Sequence, residues 1–147
     1  MKHDVLNRVT GAVQFTADID CDEGASLSVK LGLSVKWAIK TKTSLAGANL
    51  ADAYLAGANL AGAYLAGANL VDGGQRSDRY RFVGSVKDGV LMISAGCRYL
   101  SITEAREHWH DTRGGTDLGA ETMAILDHIE AVARIRKLLP EATQAAA

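Results

Sequence analysis

Between residues 43 and 72 the chain reads TSLAG ANLAD AYLAG ANLAG AYLAG ANLVD, one five-residue pattern written six times. Leucine recurs without a slip at Leu45, Leu50, Leu55, Leu60, Leu65 and Leu70, and from Ala48 to Ala68 an alanine stands two places before it. Five residues carry an α-helix about 140° beyond a full turn, so these leucines would scatter around a helix instead of lining one face. A plain strand alternates its side chains and would send every second leucine to the wrong side. Three asparagines and the interspersed glycines are poor chemistry for a membrane helix, although Asp52 is the single charge between residues 43 and 71. A low-complexity linker would not hold leucine in phase through six units. The period describes a chain that turns a corner after each short extended segment, with leucine and the preceding alanine both facing inward.

The flanks follow other patterns. Residues 8–20 predict a short strand around Ala12–Ala17 running into an acidic turn. Asp18, Asp20 and Asp22 have the alternate spacing of a calcium loop. However, Gly24 falls one place late, Val29 stands where a bidentate glutamate belongs, and a strand precedes the loop, so a solvated turn is the better account. From 27 to 40 two periods compete: alternate apolar residues from Leu27 to Ile39 suit a strand, whereas Leu27, Leu31, Val35 and Ile39 share a helical row. A helix is preferred, because stacked units need a cap where they begin.

Beyond the repeats, GGQRSD at 73–78 reads as a linker. Tyr80, Phe82 and Val86 on one side of Asp88-Gly89, and Val90 to Ile93 on the other, predict a hairpin. Ala95-Gly96-Cys97 breaks its second strand, and Arg98–Leu100 is read as an extension of it. Ser101-Ile102-Thr103-Glu104 is a capping box that opens a short helix to about Trp109. A loop over 110–117 then leads to a long helix from about Leu118 to Leu139, with Thr122, Ile125, Leu126, Ile129, Val132 and Ala133 as its apolar stripe and Pro140 as its stop.

With 147 residues the chain suits one domain or a tightly joined composite, and its 16 basic and 17 acidic residues advertise neither a nucleic-acid nor a membrane surface. Cys21 and Cys97 lie far apart and read as buried thiols of a reducing compartment. The opening MKHDVLNRVTGAV has no uninterrupted apolar stretch, so no signal peptide is expected and a cytoplasmic location follows. His108, His110 and Asp111 invite a metal reading, but histidines two apart do not share a helix face, and a helix end with a packed Trp109 is preferred. His128 is expected at the surface. Neither a catalytic residue nor a cofactor is predicted, since no serine, cysteine or threonine is paired with a base. The polar stretch with most promise is Arg113-Gly114-Gly115-Thr116, where free backbone N–H groups, a helix N-terminus and a guanidinium could hold a phosphate or nucleotide. The competing account is an ordinary glycine loop before an N-cap.

Ala-Asn-Leu at 48–50, 58–60 and 68–70 resembles the pentapeptide-repeat family, whose motif is Ala-(Asp/Asn)-Leu-x-x. Tyr54 and Tyr64 depart from it at the Asp/Asn place, as does Thr43 at the alanine of the first unit. The resemblance implies a right-handed four-sided β-helix with four repeats per coil. Six units then make about one and a half coils, with Leu45 under Leu65 and Asn49 under Asn69, too short to stand without covered ends. The outward positions Ala46, Ala51, Ala56, Ala61, Ala66 and Val71 carry no charge, which suits either a buried contact, including a homo-oligomer, or simple exposure of small residues. The opening at 7–15 and the stretches 95–109 and 118–135 also look like small repeat proteins of tailed phages and prophages.

The expected architecture is α+β. A strand and capping segment at 1–42 leads into the quadrilateral β-helix at 43–72, an α/β module of hairpin and two helices at 79–140, and a flexible tail at 141–147. The resemblance implies an accessory role; a rigid scaffold without catalytic groups and with apolar faces suits a non-enzymatic binding protein that occupies a target in its bacterial host, a defence component in the concrete version. Tyr54, Tyr64, Asn49, Asn59 and Asn69 are the candidate contact residues. The rival readings are an oligomeric sponge for a nucleotide-like signal at the Arg113 loop, and a DNA mimic that inhibits a topoisomerase. The latter is disfavoured because Asp52 and Asp72 are the only acids in the repeats.

Overall fold

The computed structural model describes residues 1–50, 53, 55, 60, 63, 65, 67–96 and 98–140. Two antiparallel sheets and three helices make it an α+β protein. The first sheet pairs β1 (Lys2–Leu6) with β2 (Val13–Asp18). The sequence pattern anticipates β2 but not β1, because KHDVL has no regular alternation. Tertiary contact supplies what local pattern lacks: Val5 is fully buried against the repeat leucines, and the Asn49 N–H donates to the Leu6 carbonyl at 2.8 Å.

The competing periods at 27–40 resolve as a helix, α1 (Leu27–Thr41). The Ser26 hydroxyl accepts from the Val29 N–H and starts it, and Lys42 in the left-handed region ends it. Its buried face is Leu31, Val35 and Ala38, while Leu27 is 59% exposed despite sharing the same row. That face closes over a core holding all six repeat leucines, none more than 8% exposed. Full burial of a leucine is worth about 1.5–3 kcal/mol, so this core is the largest apolar contribution in the N-terminal half.

Within the repeats, the N–H groups of Ala48, Ala53, Ala63 and Ala68 donate to the carbonyls of Leu45, Leu50, Leu60 and Leu65, closing a turn after each of these four leucines. Among the described residues of the repeats no strand forms before Leu70, apart from the single bridge of Asn7 to Ala48. Many residues of the expected coil, including Ala51, Asp52, Tyr54, Asn59 and Tyr64, lie outside the described residues, as do Cys97 and the tail at 141–147.

The second sheet has the order β3 (Leu70–Gln75), β4 (Arg81–Lys87), β5 (Val90–Ala95), β6 (Arg98–Ser101). The segment expected as a linker at 73–78 is therefore strand as far as Gln75, because β4 pairs with it antiparallel. Asp88 and Gly89 both have positive φ, as a two-residue hairpin turn requires, and the register Lys87 to Val90 follows. Arg98–Leu100 does not extend β5. It turns back at Gly96 to pair with it, Ala95 opposite Arg98.

One face of this sheet packs Val71, Phe82, Val86, Leu91 and Ile93 under α2 (Ile102–Arg113) and α3 (Asp117–Ile135). On the other face Leu70 and Val83 join the repeat core, so β3 and β4 share both cores. The capping box at Ser101 forms as expected, with Glu104 N–H donating to Ser101 Oγ at 3.2 Å and Ser101 N–H to Glu104 Oε1 at 3.1 Å. Helix α2 runs one turn beyond Trp109, which reduces the expected loop at 110–117 to Gly114–Thr116. Polar residues continue a helix without difficulty once Ala105 and Trp109 are docked, here with Trp109 edge-on to Phe82 at 5.1 Å between ring centres. Helix α3 ends at Ile135, and Lys137 in the left-handed region lets Leu138 turn back into the core.

Candidate functional site

The asparagines of the repeats have unlike fates. Asn69 is buried and Asn49 exposed. The Asn69 amide donates to Asn49 Oδ1 at 2.9 Å and to the Val86 carbonyl at 3.2 Å, while its Oδ1 accepts from the Leu50 N–H. Gly47 and Gly67 also meet, since a Cβ on Gly67 would lie 3.5 Å from the Gly47 nitrogen. Both pairs are separated by twenty residues. Asn69 therefore serves as an internal tie between the repeats and β4. Tyr54, Tyr64 and Asn59 lie outside the described residues.

The hairpin of β1 and β2 is fastened to the first repeat by the Arg8 N–H, which donates to the Gly47 carbonyl at 2.9 Å. The Gln14 amide adds a bond to the Ala46 carbonyl. Its turn end also carries exposed apolar side chains: Leu6 is 42%, Val13 55% and Val9 78% exposed. Leu6 and Val13 are register partners, so they stand side by side, and the Asn7 side chain accepts from the Val9 and Thr10 N–H groups to hold the turn. Sequence reasoning missed this surface with β1. The available signal was Thr10-Gly11 between Val9 and Val13, a turn flanked by apolar residues.

The Arg113 loop is now a tight helix–helix junction. Its four residues are all exposed, and Gly114, Gly115 and Thr116, but not Arg113, border a depression of about 400 Å³ that Trp109 and Met123 also line. Two of the amides expected to receive an anion are occupied, Gly114 N–H by the His110 carbonyl and Thr116 N–H by the Arg113 carbonyl. The Thr116 hydroxyl caps α3 by accepting from the Gly119 N–H, and Asp117 places a negative charge in the first helical turn. A side chain at Gly114 would strike the His110 carbonyl, so packing alone accounts for that glycine.

His108 stacks edge-on to Trp109, and His110, Asp111 and His128 are exposed. Among the described residues no group of three or more His, Cys, Asp or Glu is placed to hold a metal ion. Cys21 is a half-buried free thiol 3.6 Å from the Met1 sulfur rather than a core residue.

A charged cluster lies in the turn between β3 and β4. Arg76 is buried, donates through Nε and Nη2 to both carboxylate oxygens of Asp78 at 2.9 and 2.8 Å, and reaches Thr122 Oγ1 at 2.9 Å. Its guanidinium lies over the rings of Tyr80 and Phe82. The Arg76 hydrogen bond holds the Asp78 carboxyl down at about 2. With every polar partner internal, this cluster fastens β3 to α3 and has a structural role.

The comparisons with known proteins bear on the repeats. The family described as pentapeptide repeats (8 copies) matches residues 41–72. No curated protein and no solved structure matches the chain. Among the described residues no helix is long and apolar enough to cross a membrane.

Proposed function

Since residues 41–72 are pentapeptide repeats, we propose that the chain is a non-enzymatic binding protein whose repeats form the scaffold and whose appended elements present the contact surface. The twenty-residue spacing of Asn49 from Asn69 and Gly47 from Gly67 supports four five-residue units per turn of a right-handed β-helix. In this reading α1 and β1 close the first end of one and a half coils, and β3 carries the last unit into the second sheet.

The observation that carries partner binding is the exposed trio Leu6, Val9 and Val13, displayed on a hairpin held rigidly to the repeats. Clustered exposed apolar side chains on a braced turn suit a protein contact. The partner is a protein of the bacterial host, a component of a defence system in the version the phage-like resemblance suggests. A homo-oligomer would multiply the contact by avidity.

The wild-type chain and a Val9→Asp/Val13→Asp variant, both immobilised, test this against bacterial lysate. A protein retained in stoichiometric amount by the wild type and lost by the variant supports the reading. Equal retention by both, or no retained protein, counts against it.

A nucleotide-like ligand in the depression beside Gly115 and Thr116 is the second reading, favoured by the concavity alone and opposed by Asp117. An unmoved melting temperature across a nucleotide panel would remove it. DNA mimicry gains no support, because Asp72 is paired with Arg81 at 3.2 Å.

A further inference from the structure

On its outer side β1 meets the repeats, where the Leu6 carbonyl accepts from the Asn49 N–H, and β2 is left as the edge of the first sheet. The Met1 amino group and carbonyl both bond Ile19, at 2.6 and 2.8 Å, which fixes the phase of the ladder. Bonded and non-bonded pairs alternate along an antiparallel ladder. His3–Ala17 and Val5–Phe15 are therefore bonded pairs, while Lys2–Asp18 and Asp4–Thr16 are not. The N–H and C=O groups of Thr16 and Asp18 thus point away from β1. Both residues are exposed, and among the described residues nothing bonds these main-chain groups.

An open row of donors and acceptors is a template for another strand. The β6 edge of the second sheet is guarded, being four residues long and carrying Arg98. Strand β2 has six residues, with neither lysine, arginine nor proline among them. Side chains along its exposed face grade from apolar to acidic: Val13 beside Leu6 at the turn end, then Thr16, then Asp18. Asp18 is taken by Lys2 at 3.4 Å and by the Met1 amino group at 3.9 Å. Beyond it Asp20 and Asp22 are exposed and, among the described residues, paired with no cation. A strand laid antiparallel along β2 would complement this edge with basic residues at its start and apolar ones at its end.

We propose that the protein partner docks by strand addition. An extended segment, its alternate residues basic and then apolar, pairs antiparallel with β2, bonds the open main-chain groups of Thr16 and Asp18, and sets its apolar side chains beside Val13. The proposal rests on the reading of the hairpin as the contact surface and names the kind of segment that occupies it.

The peptide Lys-Thr-Lys-Thr-Val-Thr-Val, capped at both ends, is the probe for the full chain, followed by titration and by amide hydrogen exchange. Its lysines and valines face Asp20, Asp18, Thr16 and the Val13 end in turn. The comparisons are Glu-Thr-Glu-Thr-Val-Thr-Val and the lysine peptide N-methylated at its lysines and valines. The lysine peptide is expected to slow exchange at the Thr16 and Asp18 amides but not at Ala17, whose amide already faces His3. The glutamate peptide should bind about tenfold more weakly or worse, and the N-methylated one should give no protection. Thr16→Pro removes an edge donor that the fold does not use, and should abolish the protection at Asp18. Asp20→Lys/Asp22→Lys should reverse the preference between the lysine and glutamate peptides. Strand addition is overturned if the lysine peptide leaves the Thr16 and Asp18 amides unchanged, if the N-methylated peptide binds as well, or if charge reversal leaves the preference as it was. A lysate protein lost by Val9→Asp/Val13→Asp but kept by Thr16→Pro would leave the hairpin surface standing and remove strand addition alone.

Discussion

The Asn69 side-chain amide donates to Asn49 Oδ1 at 2.9 Å, joining two repeat residues across twenty positions of sequence. Around that bond, Asn69 also satisfies the Leu50 N–H and the Val86 carbonyl in the interior. A buried group left without its partner costs about 1–3 kcal/mol, and Asn69→Ala strands two such groups. Urea unfolding of Asn69→Ala should therefore show a loss of about 2–4 kcal/mol, larger than for Asn49→Ala, where water replaces the amide at an exposed position. Equal losses for the two variants would contradict the tie described here.

Gly84 lies beneath Ile129, and a Cβ there would strike the Ile129 Cγ2. Overpacking of this kind costs about 1–3 kcal/mol. Gly84→Ala should lower stability by that amount, and adding Ile129→Ala should cost less than the sum of the single changes, because each relieves the other. A double-mutant cycle by urea unfolding checks it, and strict additivity would refute the contact.

The Arg76–Asp78 pair predicts a pH dependence with a definite sign. The Asp78 carboxyl, ordinarily near 3.8, is held at about 2 by its bonds to Arg76 in the folded chain. Its folded value is depressed, so its contribution to stability is complete above about 4 and disappears as pH falls toward about 2. Thermal unfolding followed from pH 5 to pH 2 should fall less steeply in Asp78→Asn than in the wild type across that window. An identical slope would show that the pair has no thermodynamic link to folding.

Ser101 starts α2 through a reciprocal capping box with Glu104. Loss of an N-cap hydroxyl typically costs about 1 kcal/mol. Ser101→Ala should destabilise by that amount, while Ser101→Asp should retain most of the stability because a carboxylate accepts the same N–H. Denaturant midpoints at constant slope distinguish the two.

Local chemistry made much of this protein legible. The leucine period implied corners every five residues, and the described turn bonds and buried leucines have that arrangement. Asp88-Gly89 specified its hairpin and Ser101–Glu104 its helix start, because each rests on residues within four positions of one another. What escaped were features created by distant neighbours. Strand β1 exists because Val5 is buried among repeat leucines some forty to sixty-five residues away in sequence, and no alternation within KHDVL announces it.

The same reason separates the candidate sites. The Arg113 motif was visible as a string, but the helix of which it is the end consumed two of its amides. Leu6, Val9 and Val13 were unremarkable as letters and became a surface when β1 folded onto β2. Arg8, Leu27, Lys87 and Leu138 share no motif at all, yet they border one cavity, because the chain is wrapped around a short repeat core that cannot close its own ends. Period and caps are written in short-range geometry, whereas the covering of those ends depends on which distant segments can bury the leucines, and that is settled by packing.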